Sequence, residues 1–480
     1  MPGAGPTPVG TSDAHMVADD PAEAAALAND FANQRVPLKY RMSARSLAGA
    51  WWAFASAMFW LIFAALVAET VGTKDALIGM GLSVVAYGLI NWLISIYAAR
   101  TGTTVNIFST ALFGKVGGLL APLLLAVTAI WFATLEGSVI AVAFKQFFGF
   151  WDIRIWYLIV VLYSVPLVIG SVRTFLDKFN RYLLPFYIAG LTAAVLWTII
   201  EHGYSNDWLR HEGAVHTAGG PGWIWAFTAF MGDWVLMMAT WDYARFGRPE
   251  RKQERINGVY SFGPVFYFFT IVVNGLVGIF VAFTIPTDGP LNEASAVIGI
   301  VSLMGFWGLL LVWISQTRIN TANFFLAATN LQNTATGVLG LAVSRRVWVV
   351  VVGVVVYLVM LSNVLTFIVQ ALAYQALFTV TWTAVVVVRI VWGLFRDRRA
   401  DDVVDASPQA PVPTVRWFGL IGWLSGAAVG CLMLALGGQA SAAWTWALPS
   451  ALAISCVVYG SLLELAYRRR VQATDLVIPA

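Results

Sequence analysis

Runs of 18 or more mostly apolar residues recur along the whole chain, and they constrain the fold more than any other feature. A helix crosses a hydrocarbon core about 30 Å thick with roughly 20 such residues. By this window rule we count about twelve predicted spans. Only 11% of the residues are charged, whereas soluble proteins carry about a quarter. The sequence therefore predicts an all-α polytopic membrane protein with spans near residues 48–70, 75–99, 116–147, 153–171, 182–200, 223–244, 259–284, 295–329, 347–362, 364–388, 417–437 and 444–466.

The basic residues test this count independently, because Lys and Arg near span ends accumulate on the cytoplasmic side. If the N-terminus is cytoplasmic, 24 of the 29 basic residues fall in cytoplasmic segments. Four others fall on the outer side of the membrane: Lys74, Lys145, Arg154 and Arg210. Arg318 is the one basic residue left within the membrane. We therefore predict a multi-pass protein of the plasma membrane with both termini in the cytoplasm. The formal net charge of +4 follows from this sorting, so we expect no nucleic-acid partner.

The segment at 397–415 is charged and then rich in proline. It cannot enter a bilayer, so it divides the chain into two parts. Ten predicted spans precede this segment. Two halves of five spans have opposite orientations, which is the arrangement of an inverted repeat, although twelve spans could also divide this way by chance. We predict a disordered cytoplasmic tail at 1–40, a ten-helix core at 41–396, a cytoplasmic linker at 397–415, two additional transmembrane helices at 416–468 and a cytoplasmic tail at 469–480.

In inverted-repeat transporters the first helix of each half is interrupted near the midplane, where backbone groups line a cavity. Gly232 precedes Asp233 in the sixth span, which predicts an interruption there. The first span has no Gly or Pro between Gly49 and Gly72, so the sequence shows no break in it.

Three charged side chains, Glu136, Asp233 and Arg318, fall at bilayer depth. Each costs at least ~2.5–3.5 kcal/mol there, so each must face protein or water. They form either an internal ion-pair network that holds helices together or a proton or ion pathway with a substrate contact.

Amide side chains surround Arg318 in the stretch "SQTRINTANFF". At 100° per residue, Gln316, Asn320 and Asn323 share one helix face, and Arg318 lies on a different face with Ser315 and Thr321. A helix that is polar on two faces belongs in the centre of the bundle. Paired amide donors and acceptors suit a neutral heterocycle, with interhelical hydrogen bonding as the alternative.

Two of the 22 tryptophans lie near these groups: Trp131 is mid-span near Glu136, and Trp234 adjoins Asp233. Two such rings can stack on a flat ligand from either side. The chain has no HExxH, GxSxG or Walker pattern, so the sequence gives little support to a membrane enzyme, and we expect no cofactor beyond a coupling ion.

Three motifs resemble the nucleobase:cation symporter-1 family of cytosine, purine, allantoin and hydantoin permeases. They are "WFATLEGSVIA" in the third span, "WDYARFGRPERKQERINGVYSFGP" from the sixth span through a basic loop into the seventh, and "TRINTANFFLAATNL" in the eighth. The resemblance implies a LeuT-type fold of five plus five helices with two added helices. It also implies alternating-access transport of a neutral N-heterocycle with Na⁺ or H⁺.

By the same resemblance, Trp131 and Trp234 stack on the two faces of the heterocycle. If the alignment slips by one residue, Asp233 stands at the position of the second stacking residue. Asn323 matches the amide that hydrogen-bonds the substrate, and Thr317 matches a sodium-coordinating hydroxyl. Asn320 and Gln316 are further candidate ligands from their shared helix face.

One position departs from the family pattern: Arg318 stands where the sodium-binding relatives carry a second hydroxyl. A guanidinium and Na⁺ repel each other by several kcal/mol at ~4 Å in a poorly solvated site. Our hypothesis is that Arg318 replaces the sodium and that protons on Glu136 or Asp233 provide the coupling. The sequence thus favours a proton-coupled permease for a nucleobase or related heterocycle. An amino-acid or amine permease of the same fold, or a transporter-like receptor, is the alternative.

Overall fold

A computed structural model describes residues 31, 34–169, 172–215, 217–286, 294–341, 343–395 and 412–475. Most of the predicted N-terminal tail, most of the predicted linker and the last five residues lie outside these ranges. Within them the regular elements are helices, apart from an isolated bridge between Met42 and Gly247.

The α-helices follow one another along the described residues, joined in places by 3₁₀ or π turns. They are α1 Ala44–Trp51, α2 Phe59–Val71, α3 Thr73–Thr101, α4 Val105–Phe148, α5 Ile153–Ile169, α6 Val172–His202, α7 Gly222–Phe230, α8 Val235–Ala244, α9 Arg251–Ile256, α10 Pro264–Tyr267, α11 Asn274–Thr284, α12 Ser295–Met304, α13 Phe306–Leu339, α14 Arg345–Met360, α15 Ile368–Phe395, α16 Trp417–Leu436 and α17 Ala442–Asp475.

Seven helical stretches among the described residues are long and apolar enough to cross a membrane: Thr73–Thr101, Val105–Phe148, Leu184–His202, Arg251–Thr284, Leu365–Phe395, Trp417–Leu436 and Ala442–Arg469. The bent pair α1 and α2 makes an eighth if the two count as one span. The all-helical, polytopic fold is thereby confirmed. The count of twelve spans stays a prediction, since α5 and α12 are apolar but only 17 and 10 residues long.

The single long span predicted at 295–329 is wrong. Gly305, at φ 55°, ends α12 and begins α13 in a backbone conformation that side chains disfavour. The chain then folds back on itself, and Gly308 comes so close to Ile300 that a Cβ on it would lie 2.4 Å from the Ile300 carbonyl oxygen. Hydropathy cannot detect this corner, since the helices on both sides of it are apolar.

The helices α4 and α13 form the most extensive helix contact among the described residues. Near its N-terminal end α4 is kinked at Gly114, whose φ is 81°. The last linker residues dock there: the amides of Lys115 and Val116 donate to the carbonyls of Pro413 and Thr414, at 3.1 Å each. The final two helices are therefore anchored to α4.

Within residues 34–40, which the sequence assigns to the N-terminal tail, Leu38–Tyr40 form a 3₁₀ turn. Val36 and Tyr40 are buried with Phe31. Next to them Arg41 is buried, and its guanidinium donates to three carbonyl oxygens: Val36 at 2.8 Å, Ala99 at 2.5 Å and Gly247 at 3.0 Å. Burial, with Arg245 nearby, lowers the pKa of Arg41 to about 10. This arginine fastens the N-terminal segment to the ends of α3 and α8.

Candidate functional site

The first span is interrupted, although it contains neither Gly nor Pro at the break. After α1 the chain forms a 3₁₀ turn at Trp52–Ser56, Ala57 is extended at φ −68° and ψ 126°, and α2 begins at Phe59. The two halves are bent by 45°. The break that the sequence did not show is therefore present between Ser56 and Phe59.

Polar side chains from two other helices bind the backbone groups that this break leaves without helical partners. From α13, the Ser315 hydroxyl donates to the Ser56 carbonyl, and Gln316 Oε1 accepts from the Met58 amide at 2.9 Å. From α11, Asn274 Nδ2 donates to the carbonyl of Ala55 at 2.7 Å. These contacts replace the missing helical hydrogen bonds, because unpaired backbone groups are costly at this depth.

Arg318 also lies at the break: its Nη1 donates to the Ser56 hydroxyl at 3.0 Å. Its side chain is buried on the helix face that it shares with Ser315, as the 100° spacing predicts. A fixed positive charge therefore lies beside the interrupted backbone of the first span.

Glu136 on α4 is buried, and its carboxylate accepts a hydrogen bond from Gln316 Nε2. The structure thus brings together two residues that the sequence analysis singled out separately. Among the ion pairs of the described residues, none joins Arg318 to Glu136 or Asp233, so the ion-pair network considered from sequence is not formed by these three.

The sixth span is interrupted where the glycine indicated. The helix α7 ends at Phe230, a 3₁₀ turn covers Met231–Asp233, and α8 begins at Val235. The hydroxyl of Tyr87, on α3, donates to the freed carbonyl of Phe230 at 2.6 Å. Asp233 is buried in this turn, close enough to Glu136 for the two carboxyls to interact.

Two of the predicted site residues face α5 instead of the break. Thr317 shares a hydrogen bond of 2.9 Å with the hydroxyl of Tyr163, and Asn320 Nδ2 donates to Ser164 Oγ at 3.4 Å. The structure therefore separates Thr317 and Asn320 from Gln316 and Arg318, their neighbours on α13.

Three other predicted site residues carry buried N–H donors with no hydrogen-bond partner in the described part of the chain. The atoms are Asn323 Nδ2 on α13, Trp131 Nε1 on α4 and Trp234 Nε1 between the sixth-span halves. A buried donor left unpaired costs about 1–3 kcal/mol, so these atoms call for a ligand or water.

Several residues that shape this site were not predicted from the sequence: Ser56, Tyr87, Asn274 and, in its contact with the break, Ser315. A signal existed for Ser315, since it shares a face with Arg318. None existed for Ser56, Tyr87 or Asn274, whose importance depends on which backbone groups they meet.

Comparison with known proteins relates this geometry to solved structures. Mhp1, a nucleobase-cation-symport-1 family transporter in a closed conformation with bromovinylhydantoin bound, matches with a TM-score of 0.67 and 17% identity over 91% of this chain and 96% of that one. The chain has the fold of Mhp1. An inward-facing Mhp1 structure is similar too, with a TM-score of 0.66 at 16% identity over 90% of this chain and 93% of that one.

Other transporters share the Mhp1 fold. A Na⁺-coupled sialic acid symporter matches with a TM-score of 0.60 and 12% identity over 89% of this chain and 90% of its own. A manganese transporter from Eremococcus coleocola matches at 0.57 and 11% over 91% and 98%. No family model matches the chain, and no curated protein does. The similar structures are thus transporters with different cargoes.

Proposed function

We propose that this chain is a secondary transporter of the nucleobase:cation symporter-1 family that imports a planar, neutral N-heterocycle by alternating access. Two observations support this proposal. The fold is shared with cation-coupled transporters, and the first and sixth spans are interrupted near their middle, where they meet polar side chains. Because similar structures carry different cargoes, the substrate class is inferred from the chemistry of the site.

The observation that carries the substrate class is the set of unpaired buried donors on Asn323, Trp131 and Trp234. They come from α13, α4 and the sixth-span interruption, and two belong to indole rings. A flat ring stacks on indoles, and its carbonyl or ring-nitrogen acceptors satisfy buried N–H groups. A nucleobase, hydantoin or similar compound has both properties.

The position of Arg318 supports a proton as the coupling ion. Its guanidinium binds Ser56 at the first-span break, and it belongs to the position where the family resemblance implies a sodium-coordinating hydroxyl. A second cation beside it would be repelled by several kcal/mol. Glu136 and Asp233 are the buried carboxyls nearby, and they take up and release the coupling proton.

Uptake into proteoliposomes tests this function directly. We expect a panel of radiolabelled cytosine, adenine, hypoxanthine, uracil, allantoin, hydantoin and several amino acids to show accumulation of one heterocycle. An inward proton gradient should drive this accumulation, and a sodium gradient should not. Sodium-driven accumulation would remove the role of Arg318, accumulation of an amino acid would remove the substrate class, and binding without uptake would indicate a receptor.

Replacing Asn323 with alanine is expected to weaken heterocycle binding by about 1–3 kcal/mol, because its buried amide then no longer pairs with the substrate. Isothermal titration of the purified protein with the transported compound measures the change. Asn330→Ala on the same helix is the matched control, since Asn330 Nδ2 already donates to the Leu326 carbonyl at 2.9 Å. Equal affinities of Asn323→Ala and wild type would remove Asn323 from the site.

A further inference from the structure

Gln316 hydrogen-bonds both the buried carboxylate of α4 and the interrupted backbone of the first span. Its Nε2 donates to Glu136, and its Oε1 accepts from the Met58 amide at 2.9 Å. Both ends of the amide are therefore occupied, which favours a link between two helices over the substrate contact expected from sequence.

We propose that Gln316 is a positioning residue that transmits the protonation state of Glu136 to the first-span break. This inference rests on the proposed proton coupling. It assigns to the Gln316 amide the connection between Glu136 and the backbone of the first-span break.

The orientation of the Gln316 amide follows from its partners. The backbone N–H of Met58 can only donate, so the amide oxygen must face it, and the NH₂ group must then face Glu136. An ionised Glu136 only accepts, which matches this NH₂ group. A charge-assisted hydrogen bond of this kind is roughly twice as strong as a neutral one, so the carboxylate holds the amide in place.

Protonation of Glu136 changes its hydrogen bond with Gln316. A proton on Glu136 removes the charge, so the hydrogen bond that the carboxyl accepts from Gln316 Nε2 becomes a neutral one, about half as strong. The Gln316 amide is then held less firmly in the orientation that pairs its Oε1 with Met58 N–H. The hold on Met58 weakens, and Met58 is the residue that caps the N-terminus of α2.

Other charged and titratable groups surround this link. Asp233 from the sixth-span turn and Tyr187 from α6 interact with Glu136, while Arg318 on α13 interacts with Tyr243 of α8. None of these side chains forms a hydrogen bond with Met58 in the described residues, so Gln316 is the route from Glu136 to that amide. On the other side of the break, Asn274 Nδ2 donates to the Ala55 carbonyl, and Asn274 Oδ1 accepts from the Tyr187 hydroxyl at 3.1 Å. This second chain of contacts reaches the break at Ala55 and not at the Met58 amide.

Hydrogen exchange of the Met58 amide tests the proposal without any substrate. The purified full-length protein in lipid nanodiscs is exchanged at a series of pH values, and fragmentation resolves residues 57–62. Rates are divided by the intrinsic rate at each pH to give protection. We expect wild-type protection of Met58 to fall roughly fivefold to tenfold on acidification, the effect of losing about one hydrogen bond.

Variants separate the link from a merely structural role. Glu136→Gln is neutral at every pH and is expected to show the low protection throughout. Gln316→Met has a similar volume but no amide, and it should show low protection without a pH step. Ser315→Ala is the matched control: it removes the neighbouring contact at Ser56 but keeps the link, so its lower protection should retain the pH step.

A pH step that persists in Gln316→Met, or wild-type protection in Glu136→Gln, would overturn the proposal. If Gln316→Met does not fold, Gln316→Leu replaces it, and a wild type without a pH step still overturns the proposal. The outcome is independent of the transport assay: proton-driven uptake with no pH step at Met58 discards the link alone, whereas a pH step in a protein that moves no heterocycle discards the function alone.

Discussion

Replacing Arg318 with threonine is expected to abolish most sodium-independent uptake and to make the remaining uptake depend on sodium. The substitution removes a buried cation that donates to Ser56 at 3.0 Å, and it introduces the hydroxyl that the family resemblance implies for a sodium-binding protein at this position. Loss of a hydrogen bond from a charged group costs about 1.5–3 kcal/mol, so the uptake rate should drop by roughly 10- to 100-fold in sodium-free buffer. Uptake of the transported heterocycle into proteoliposomes, in sodium and in choline buffers, measures both effects.

Arg318→Lys is the control for this substitution, because lysine keeps the positive charge but lacks the planar fork of donors. Its uptake should be slower than that of wild type and should remain indifferent to sodium. If Arg318→Thr transports normally without sodium, or is equally impaired in both buffers, Arg318 does not stand in for a bound cation.

Replacing Gly278 with alanine is expected to destabilise the protein by about 1–3 kcal/mol or more, the range for overpacking a tight contact. On α11, a Cβ at this position would lie 2.2 Å from the carbonyl oxygen and 2.6 Å from the Cα of Leu61 in α2. Both are backbone atoms, so no side-chain rotation relieves the clash, and the two helices must separate. Thermal unfolding of the detergent-solubilised protein should show a midpoint several degrees below that of wild type.

The control is Gly81→Ala in α3, where a Cβ would meet nothing within 4 Å. Alanine is favoured over glycine within a helix by about 0.5–1 kcal/mol, so this variant should unfold at the wild-type temperature or slightly above it. Equal midpoints for Gly278→Ala and Gly81→Ala would contradict the close packing of α11 on α2.

Much of the architecture could be predicted from local sequence signals. Apolar runs and the sorting of Lys and Arg indicated a helical membrane protein and isolated Arg318 as an exception. Gly232 marked the interruption of the sixth span, because a glycine lowers helix propensity wherever it occurs. Each of these signals lies within the segment that it describes.

The break in the first span could not be predicted in this way. Its cause lies in Ser315, Gln316 and Arg318, about 260 residues further along the chain, whose side chains bind the freed backbone. The helical spacing placed Ser315 with Arg318, but it could not show which helix either one meets. For the same reason it grouped Asn320 with Gln316, although Asn320 lies against Ser164.

The contacts of Arg41 determine how the N-terminal segment responds to ionic strength. Salt screens an ion pair that includes an exposed group, such as Arg100 with Glu254, in which the arginine side chain is 57% exposed although the glutamate is buried. The guanidinium of Arg41 binds backbone carbonyls and is buried, so dissolved ions neither compete for its partners nor reach them. This fastening should hold equally well in dilute and in concentrated electrolyte.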